Sequence, residues 1–190
     1  MQGGKRVYTY RRRFFYPIHV EGPDPSLAKQ LLEHYAGKDG ELTQVVQYLN
    51  HQVNIDNRYL RELLGLITAE ELAHMETLAA MIIKLGGEVQ KLSGPDDLPW
   101  SLNYVSQFTE PEKILKANAA MEKRARLSYE KHASMTRDPG VRRLLTFLAQ
   151  REYLHQRLLF QSYKVLREGG SSEQYMDIIY EYKMSLQVLE

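Results

Sequence analysis

Apolar residues recur at intervals of three and four along most of the chain, which predicts long amphipathic helices. The clearest helix spans about residues 57–85 and ends at Gly86-Gly87. Its apolar stripe consists of Leu60, Leu63, Leu64, Ile67, Leu72, Met75, Leu78, Ala79 and Ile82. Further helices are predicted over about 40–53, 109–136 and 138–168. The pattern therefore predicts an all-α fold with four main helices.

Shorter elements flank these helices. Asp24-Pro25-Ser26 predicts a short helix with the aspartate as N-cap and the proline in the first turn. A helical pattern over residues 171–190 predicts an extra C-terminal helix. Residues 1–16 mix basic and aromatic side chains, which favours an extended arm packed on the bundle or a neighbouring subunit over a nucleic-acid contact. We expect one domain over 1–190, with the bundle at 24–168.

The segment between the second and third main helices, residues 92–110, is rich in Pro, Gly, Ser and Asp and predicts a long loop. In a four-helix bundle a loop of this length can cross the length of the bundle. Trp100 and Tyr104 either anchor this crossover or cover a site, and we favour anchoring. Thr109 and Glu112 have the spacing of a capping box at the start of the next helix.

The composition is that of a globular protein, with 43% hydrophobic and 26% charged residues in 190. The net charge of +1 does not point to any class of partner, and we do not expect nucleic-acid binding. The absence of cysteine excludes disulfides, thiolate ligands and iron–sulfur clusters. No apolar run is long enough for a membrane span, and the N-terminus lacks an apolar signal segment. We therefore expect a cytoplasmic protein with no membrane partner.

Two Glu-x-x-His sequences lie within the predicted helices. They are Glu71-Leu72-Ala73-His74 and Glu152-Tyr153-Leu154-His155. Residues three apart share one helix face, so each carboxylate and imidazole can bind one metal ion from the same side. A single motif of this length arises readily by chance, so its context decides its value.

A single glutamate precedes each motif at the same distance. Glu41 lies 30 positions before Glu71 (71 − 41), and Glu122 lies 30 before Glu152 (152 − 122). Such a step fits one helix out, a turn and one helix back. Ferritin-like bundles build dinuclear sites from single glutamates on two helices and Glu-x-x-His on the other two. The predicted metal ligands are Glu41, Glu71, His74, Glu122, Glu152 and His155.

Carboxylates and imidazoles suit manganese or iron, and the lack of thiolates argues against structural zinc. Two cations would offset the cost of burying four carboxylates, and they can share the two-electron change of peroxide or dioxygen chemistry. The remaining histidines have no glutamate three residues earlier and are expected to be surface or structural: His19, His34, His51 and His132. Glu70 is expected to face solvent or a basic neighbour.

The sequence resembles the manganese catalase family, and within it the short spore-coat branch of JC type, over about residues 16–165. The similar segments include Pro23-Asp24-Pro25-Ser26-Leu27-Ala28-Lys29, Gly37-Lys38-Asp39-Gly40-Glu41-Leu42, Glu70-Glu71-Leu72-Ala73-His74-Met75-Glu76, Pro99-Trp100, Ala119-Ala120-Met121-Glu122-Lys123 and Arg151-Glu152-Tyr153-Leu154-His155. The resemblance implies that Glu41, Glu71 and His74 bind the first of two manganese ions. It implies that Glu71 bridges to the second ion, which Glu122 and His155 also bind.

The same resemblance implies roles for two further side chains. Glu152 would not bind metal directly in the resting site but would act as an acid/base group beside the ions. Tyr48 would hydrogen-bond a ligand carboxylate. The implied reaction is disproportionation of hydrogen peroxide to water and dioxygen by a homo-oligomer, in the cytoplasm or the spore coat together with other coat proteins. Two alternatives stay open: a di-iron oxidase, peroxidase or ferroxidase in which Glu152 binds metal, and a structural coat protein whose metal site holds the bundle together.

Overall fold

The computed structural model describes residues 16–89 and 91–187, and every element found within them is helical except one isolated β-bridge between Ser93 and Pro99. The helices are α1 (Pro25–Ala36), α2 (Glu41–Val53), α3 (Arg58–Lys84), α4 (Pro111–Met135), α5 (Pro139–Arg167) and α6 (Ser172–Gln187). A short 3₁₀ helix, Leu102–Tyr104, interrupts the connection between α3 and α4. The all-α class is confirmed, and the helices lie where the hydrophobic pattern predicts them.

Side-chain caps begin several of these helices. Asp24 accepts a hydrogen bond from the backbone N–H of Leu27 at 2.9 Å, as predicted, and Asp138 caps α5 in the same way. The predicted capping box at Thr109 is wrong. The N-cap of α4 is Glu110 rather than Thr109, because Pro111 is the first helical residue and the residue before a proline is extended. The Glu110 side chain makes no capping hydrogen bond.

Two hydrophobic clusters fill the interior, one towards each end of the bundle. The first contains Leu60, Leu63 and Leu64 of α3, Ile114 and Leu115 of α4, and Leu158 and Leu159 of α5. The second contains Leu78, Met81 and Ile82 of α3, Tyr129 and Ala133 of α4, and Val141, Leu144 and Leu145 of α5. Both Glu-x-x-His motifs therefore lie in a layer between the two clusters.

The positions of the clusters also fix the connectivity. α3 ends in the second cluster and α4 begins in the first, so the segment between them crosses the length of the bundle. This is the single long crossover of ferritin-like bundles. Trp100 Nε1 donates to Thr43 Oγ1 at 2.9 Å, and the N–H of Ser106 donates to Gln47 Oε1 at 2.7 Å. Trp100 is thus an anchor of the crossover on α2, as predicted.

The chain outside the four main helices packs against them. The predicted N-terminal arm over residues 1–16 lies outside the described residues, apart from Tyr16, whose ring stacks on Phe147 at 4.6 Å. α6 packs through Tyr175, Ile178 and Ile179 into the first cluster. Among the described helices, none combines the length and the apolar character that a membrane span requires.

Candidate metal centre

The fold brings all six predicted ligands together in the layer between the two hydrophobic clusters. Each of the six side chains is at most 2% exposed to solvent. Glu41 lies in the first turn of α2, and Glu122 lies near the middle of α4. The two Glu-x-x-His pairs lie on α3 and α5, with their side chains turned inward. One residue or pair from each of the four main helices thus meets at one depth of the bundle.

The six side chains form two overlapping groups. The first consists of Glu41, Glu71, His74 and Glu152, and the second consists of Glu71, Glu122, Glu152 and His155. Within each group the nearest ligand atoms all lie within 4.8 Å of one another. Glu71 and Glu152 belong to both groups. This arrangement fits two adjacent cations with carboxylates between them.

Each single glutamate accepts a hydrogen bond from a buried tyrosine on another helix. Tyr48 Oη on α2 donates to Glu122 Oε1 at 2.6 Å, as the resemblance implied. Tyr129 Oη on α4 donates to Glu41 Oε1. The two tyrosines fix one oxygen of each carboxylate and leave the other oxygen facing the centre.

Both histidines present Nδ1 to the carboxylates. His74 Nδ1 lies 2.8 Å from Glu71 Oε2, and His155 Nδ1 lies 2.7 Å from Glu71 Oε1. Their Nε2 atoms point outward to a shared carboxylate, Glu70, at 3.5 Å for His74 and 2.9 Å for His155. A carboxylate behind a ligating imidazole orients the ring and raises its basicity.

Glu70 was expected to face solvent or a basic neighbour, and the structure shows the basic neighbour. It is buried at 3% exposure rather than facing solvent. The basic neighbour is Arg151 of α5, whose Nη2 donates to Glu70 Oε2 at 3.0 Å and whose Nε donates to Oε1. Tyr182 of α6 also donates to Glu70 Oε2, at 2.7 Å. The burial of this charge depends on partners from two distant helices.

The electrostatics of the centre follow from this crowding. Burial and the nearby carboxylates of Glu152 and Glu71 hold the pKa of Glu41 well above its usual range. Burial and the same two carboxylates also raise the pKa of Glu122. Although burial opposes it, the charges of His155 and His74 lower the pKa of Glu71 to about 2. In the absence of metal, protons therefore supply part of the positive charge that the cluster needs.

Orphaned polar atoms test whether the residues fit a metal pair. Five ligand atoms in the centre are buried and make no well-directed hydrogen bond: Glu41 Oε2, Glu71 Oε1, Glu122 Oε2, Glu152 Oε1 and His155 Nδ1. Buried acceptors are almost always paired, so a group of five orphans in one cluster needs a partner. Hard-to-borderline cations such as manganese or iron match these oxygen and nitrogen donors. The residues fit a dimetal centre.

Three of the other histidines are structural and buried, and only His19 is exposed. His34 Nε2 and His132 Nδ1 share a hydrogen bond of 2.8 Å, and the His34 ring stacks on Tyr129 at 3.9 Å. Burial and His132 lower the pKa of His34 to about 3, so the pair stays neutral. His51 Nδ1 bonds Asn118 at 2.8 Å. The expectation of structural roles holds for these three.

The roles of two buried residues of the centre, Tyr129 and Arg151, were not predicted from the sequence. The spacing of the ligand sets could have indicated them. The two ligand sets repeat with an offset of 81 residues (122 − 41), and the same offset relates Tyr48 to Tyr129 (129 − 48) and Glu70 to Arg151 (151 − 70). Tyr129 therefore repeats the role of Tyr48 on the opposite glutamate. Glu70 and Arg151 occupy equivalent positions with opposite charges, which is the pattern of an ion pair.

Comparison with known proteins identifies relatives over most of the chain. The family profile described as manganese containing catalase matches residues 7–96 and 87–176. A probable manganese catalase of Clostridium acetobutylicum is 31% identical over 178 residues, covering 83% of this chain and 79% of the relative. Protein CotJC of Bacillus subtilis is 29% identical over 185 residues, covering 85% of this chain and 96% of the relative.

Among solved structures, KatB, a manganese catalase from Anabaena, superposes with a TM-score of 0.79 at 22% sequence identity. The match covers 84% of this chain and 81% of that chain. The crossover topology described above is therefore shared with a solved manganese catalase fold.

Proposed function

Because the chain belongs to the manganese-containing catalase family, we propose that it disproportionates hydrogen peroxide to water and dioxygen at a dimanganese centre. The observation that carries the proposal is the pair of overlapping Glu/His groups, buried in one layer and sharing Glu71 and Glu152. Their orphaned oxygen and nitrogen atoms match the donor set of two adjacent manganese ions.

The proposed ligands divide as the family resemblance implies. Glu41 and His74 would hold one ion, Glu122 and His155 would hold the other, and Glu71 would contribute to both. The position of Glu71 supports bridging, because its two oxygens lie 2.8 and 2.7 Å from the Nδ1 atoms of the two histidines. When bound, the manganese pair supplies the two-electron change that peroxide disproportionation requires.

The chain's own residues position groups and move protons. Disproportionation transfers two protons and two electrons from one peroxide molecule to another. Glu152 is the candidate acid/base group, as the resemblance implies. Its Oε1 lies 3.3 Å from His74 Nδ1 without a well-directed hydrogen bond, so it is available to a substrate proton. Gln44 Nε2 lies 3.5 Å from Glu152 Oε2 and restrains the carboxyl from the other side. Tyr48 and Tyr129 hold the two single glutamates in place, and the surrounding burial excludes bulk water.

A di-iron oxidase, peroxidase or ferroxidase is the second candidate. It is favoured by one observation, that Glu152 belongs to both ligand groups and is close enough to bind metal directly. The same six side chains would then serve iron, since carboxylate and imidazole donors accept either element.

The deciding experiment is expression in medium with equal manganese and iron, followed by metal analysis and an oxygen-electrode assay with hydrogen peroxide. The proposal predicts two manganese ions per chain and one dioxygen released for every two peroxides consumed. Bound iron, with peroxide consumed but little dioxygen released, would establish the di-iron alternative. Full metal occupancy with no turnover of peroxide would point to a metal site that only holds the bundle together.

We also propose a homo-oligomer in the cytoplasm or the spore coat, associated there with other coat proteins. The support is the similarity to Protein CotJC along 96% of that relative, together with the short spore-coat branch that the sequence resembles. Fractionation of the host, with antibody detection of the chain in coat and soluble fractions, tests the location.

A further inference from the structure

One hydroxyl group connects the C-terminal helix α6 to the metal centre. Tyr182 Oη donates to Glu70 Oε2 at 2.7 Å and also lies 3.0 Å from the carbonyl oxygen of Leu66. The Tyr182 side chain is 2% exposed, so water does not compete for this contact. The ring also lies over His155, with centroids 6.1 Å apart. Tyr182 thus reaches the carboxylate behind the ligands rather than the ligands themselves.

Glu70 lies behind both proposed ligand histidines, His155 and His74. Its two oxygens face the Nε2 atoms of His155, at 2.9 Å, and of His74, at 3.5 Å. An imidazole whose Nε2–H is held by a carboxylate has its Nδ1 lone pair turned the opposite way. The contact with His155 is a hydrogen bond, whereas His74 Nε2 faces Glu70 without a well-directed one. A shift of the Glu70 carboxylate would therefore release the His155 ring and move the charge that faces the His74 ring.

A second residue of α6 supports the same carboxylate indirectly. Arg151 donates to Glu70 and also to Ser185 Oγ, at 3.2 Å from both Nη1 and Nη2. Ser185 Oγ in turn donates to the carbonyl oxygen of Tyr182 at 2.6 Å. One turn of α6 therefore holds both partners of the buried Glu70–Arg151 pair.

The docking of α6 does not depend on these polar contacts. Its apolar residues Tyr175, Ile178 and Ile179 are buried in the first hydrophobic cluster. Exposed ion pairs of Lys183 with Glu62 and of Arg157 with Glu181 add contacts at its rim. Removal of the Tyr182 hydroxyl alone is therefore expected to leave the helix docked.

We propose that α6 contributes to the metal centre and that Tyr182 is a positioning residue. Through Glu70 it holds the His155 ring in its metal-binding orientation and keeps a carboxylate facing the His74 ring. The proposal rests on the dimetal centre assigned above and adds an element that carries no ligand. It makes metal affinity depend on a side chain 27 residues beyond the last proposed ligand, His155 (182 − 155).

The test compares Tyr182→Phe with Tyr175→Phe, a matched change on the same helix. Tyr175 is also buried, and within the described residues its hydroxyl makes no hydrogen bond. Chelated full-length protein is titrated with Mn²⁺ alone by calorimetry at a temperature where every variant is folded. Thermal midpoints of the metal-free proteins are measured in parallel.

Tyr182→Phe is expected to weaken Mn²⁺ binding about tenfold, which is the lower end of the range for loss of a residue behind a metal ligand. Tyr175→Phe is expected to bind Mn²⁺ as the wild type does. Ser185→Ala is expected to have a smaller effect of the same sign.

The outcomes separate positioning from stability. A role in stability alone would lower the thermal midpoint of Tyr182→Phe and leave the Mn²⁺ affinity of the folded protein unchanged, which would overturn the proposal. Equal loss of affinity in both tyrosine variants would also overturn it. A wild-type protein that binds metal but releases no dioxygen contradicts only the catalase proposal, and the affinity comparison still decides the role of α6. A wild-type protein that binds no metal ends both proposals.

Discussion

The helix pairs α2–α3 and α4–α5 carry the same ligand pattern but differ in the residues beside it. Four pairs of positions 81 residues apart match in type: Glu41 and Glu122, Tyr48 and Tyr129, Glu71 and Glu152, and His74 and His155. Each tyrosine bonds the single glutamate of the opposite pair. The common pattern is what two similar ions in one layer require, because each ion needs the same kind of donors from its own side.

The differences lie next to the ligands. Where the first pair has Glu70, the second has Arg151, and the two form one buried ion pair. Where the first pair has Gln44, near Glu152, the second has Ala125. As a result the equivalent glutamates have different surroundings. Glu71 lies between the two imidazoles, 2.8 and 2.7 Å from their Nδ1 atoms, whereas Glu152 lies 3.3 Å from His74 Nδ1 and 3.5 Å from Gln44 Nε2. We infer that the repeated residues form the site for the metal pair. The residues that differ between the two helix pairs give Glu71 a bridging role and Glu152 a role in proton transfer.

The strongest test of this comparison is Glu71→Ala. The Glu71 carboxylate contacts both histidines and is expected to bind both ions, so its loss should remove both metals. Glu62→Ala, on the same helix but 48% exposed, is the control and should keep two per chain. Metal content is measured by emission spectroscopy after dialysis. A Glu71→Ala protein that retains two metal ions would disprove bridging.

Glu152→Gln tests the equivalent position. The amide keeps the size of the side chain but cannot hold and release a proton, so both metals should remain while dioxygen release falls by about 100-fold or more. The oxygen electrode and metal analysis are applied to the same sample. Loss of one metal would make Glu152 a ligand like Glu71 and would favour the di-iron arrangement.

Tyr48→Phe and Tyr129→Phe compare the two halves directly. Each change removes a hydrogen bond to one ligand carboxylate, which is worth about 1 kcal/mol, so each should weaken Mn²⁺ binding by several-fold. The two variants are expected to agree closely, because the geometry is repeated. A difference of more than about tenfold between their dissociation constants, or about 1.4 kcal/mol, would break the symmetry of the two half-sites.

The last comparison concerns the pH dependence of the metal-free protein. Although burial lowers it, Glu71 and Glu70 raise the pKa of His155 from 6.5 to about 9, so its stabilising contribution is complete below pH 6.5 and is lost as the pH rises through about 9. Burial lowers the pKa of His34 from 6.5 to about 3, so its contribution is lost as the pH falls below 6.5. The raised pKa values of Glu41 and Glu122 add to the loss on the alkaline side. The thermal midpoint of chelated protein should therefore fall as the pH rises from 6.5 through about 9.

Manganese-loaded protein provides the comparison for that profile. A metal ion replaces the proton on His155, so the decline on the alkaline side should disappear while the acid side remains. A midpoint of the metal-free protein that keeps rising through pH 9 would contradict the assigned charge on His155.

The sequence predicts the helices and the six inward side chains because both depend on local spacing. A period of three to four residues selects the buried face of a helix, and equal steps of 30 place ligands at one depth. The burial of Glu70 could not be predicted in this way, because it depends on Arg151 and Tyr182, which are 81 and 112 residues away. The wrong cap prediction at Thr109 shows that a correctly spaced local motif can also fail, because Pro111, two residues later, makes Glu110 the N-cap.

The location of the metal ions tests the central claim most directly. A crystal of protein grown with manganese, measured on both sides of the manganese absorption edge, would show the anomalous signal of the element itself. The account predicts two peaks about 3.5–4 Å apart, one beside His74 and one beside His155, with Glu71 between them. A single peak, a signal at the iron edge alone, or no peak between the four main helices would contradict it.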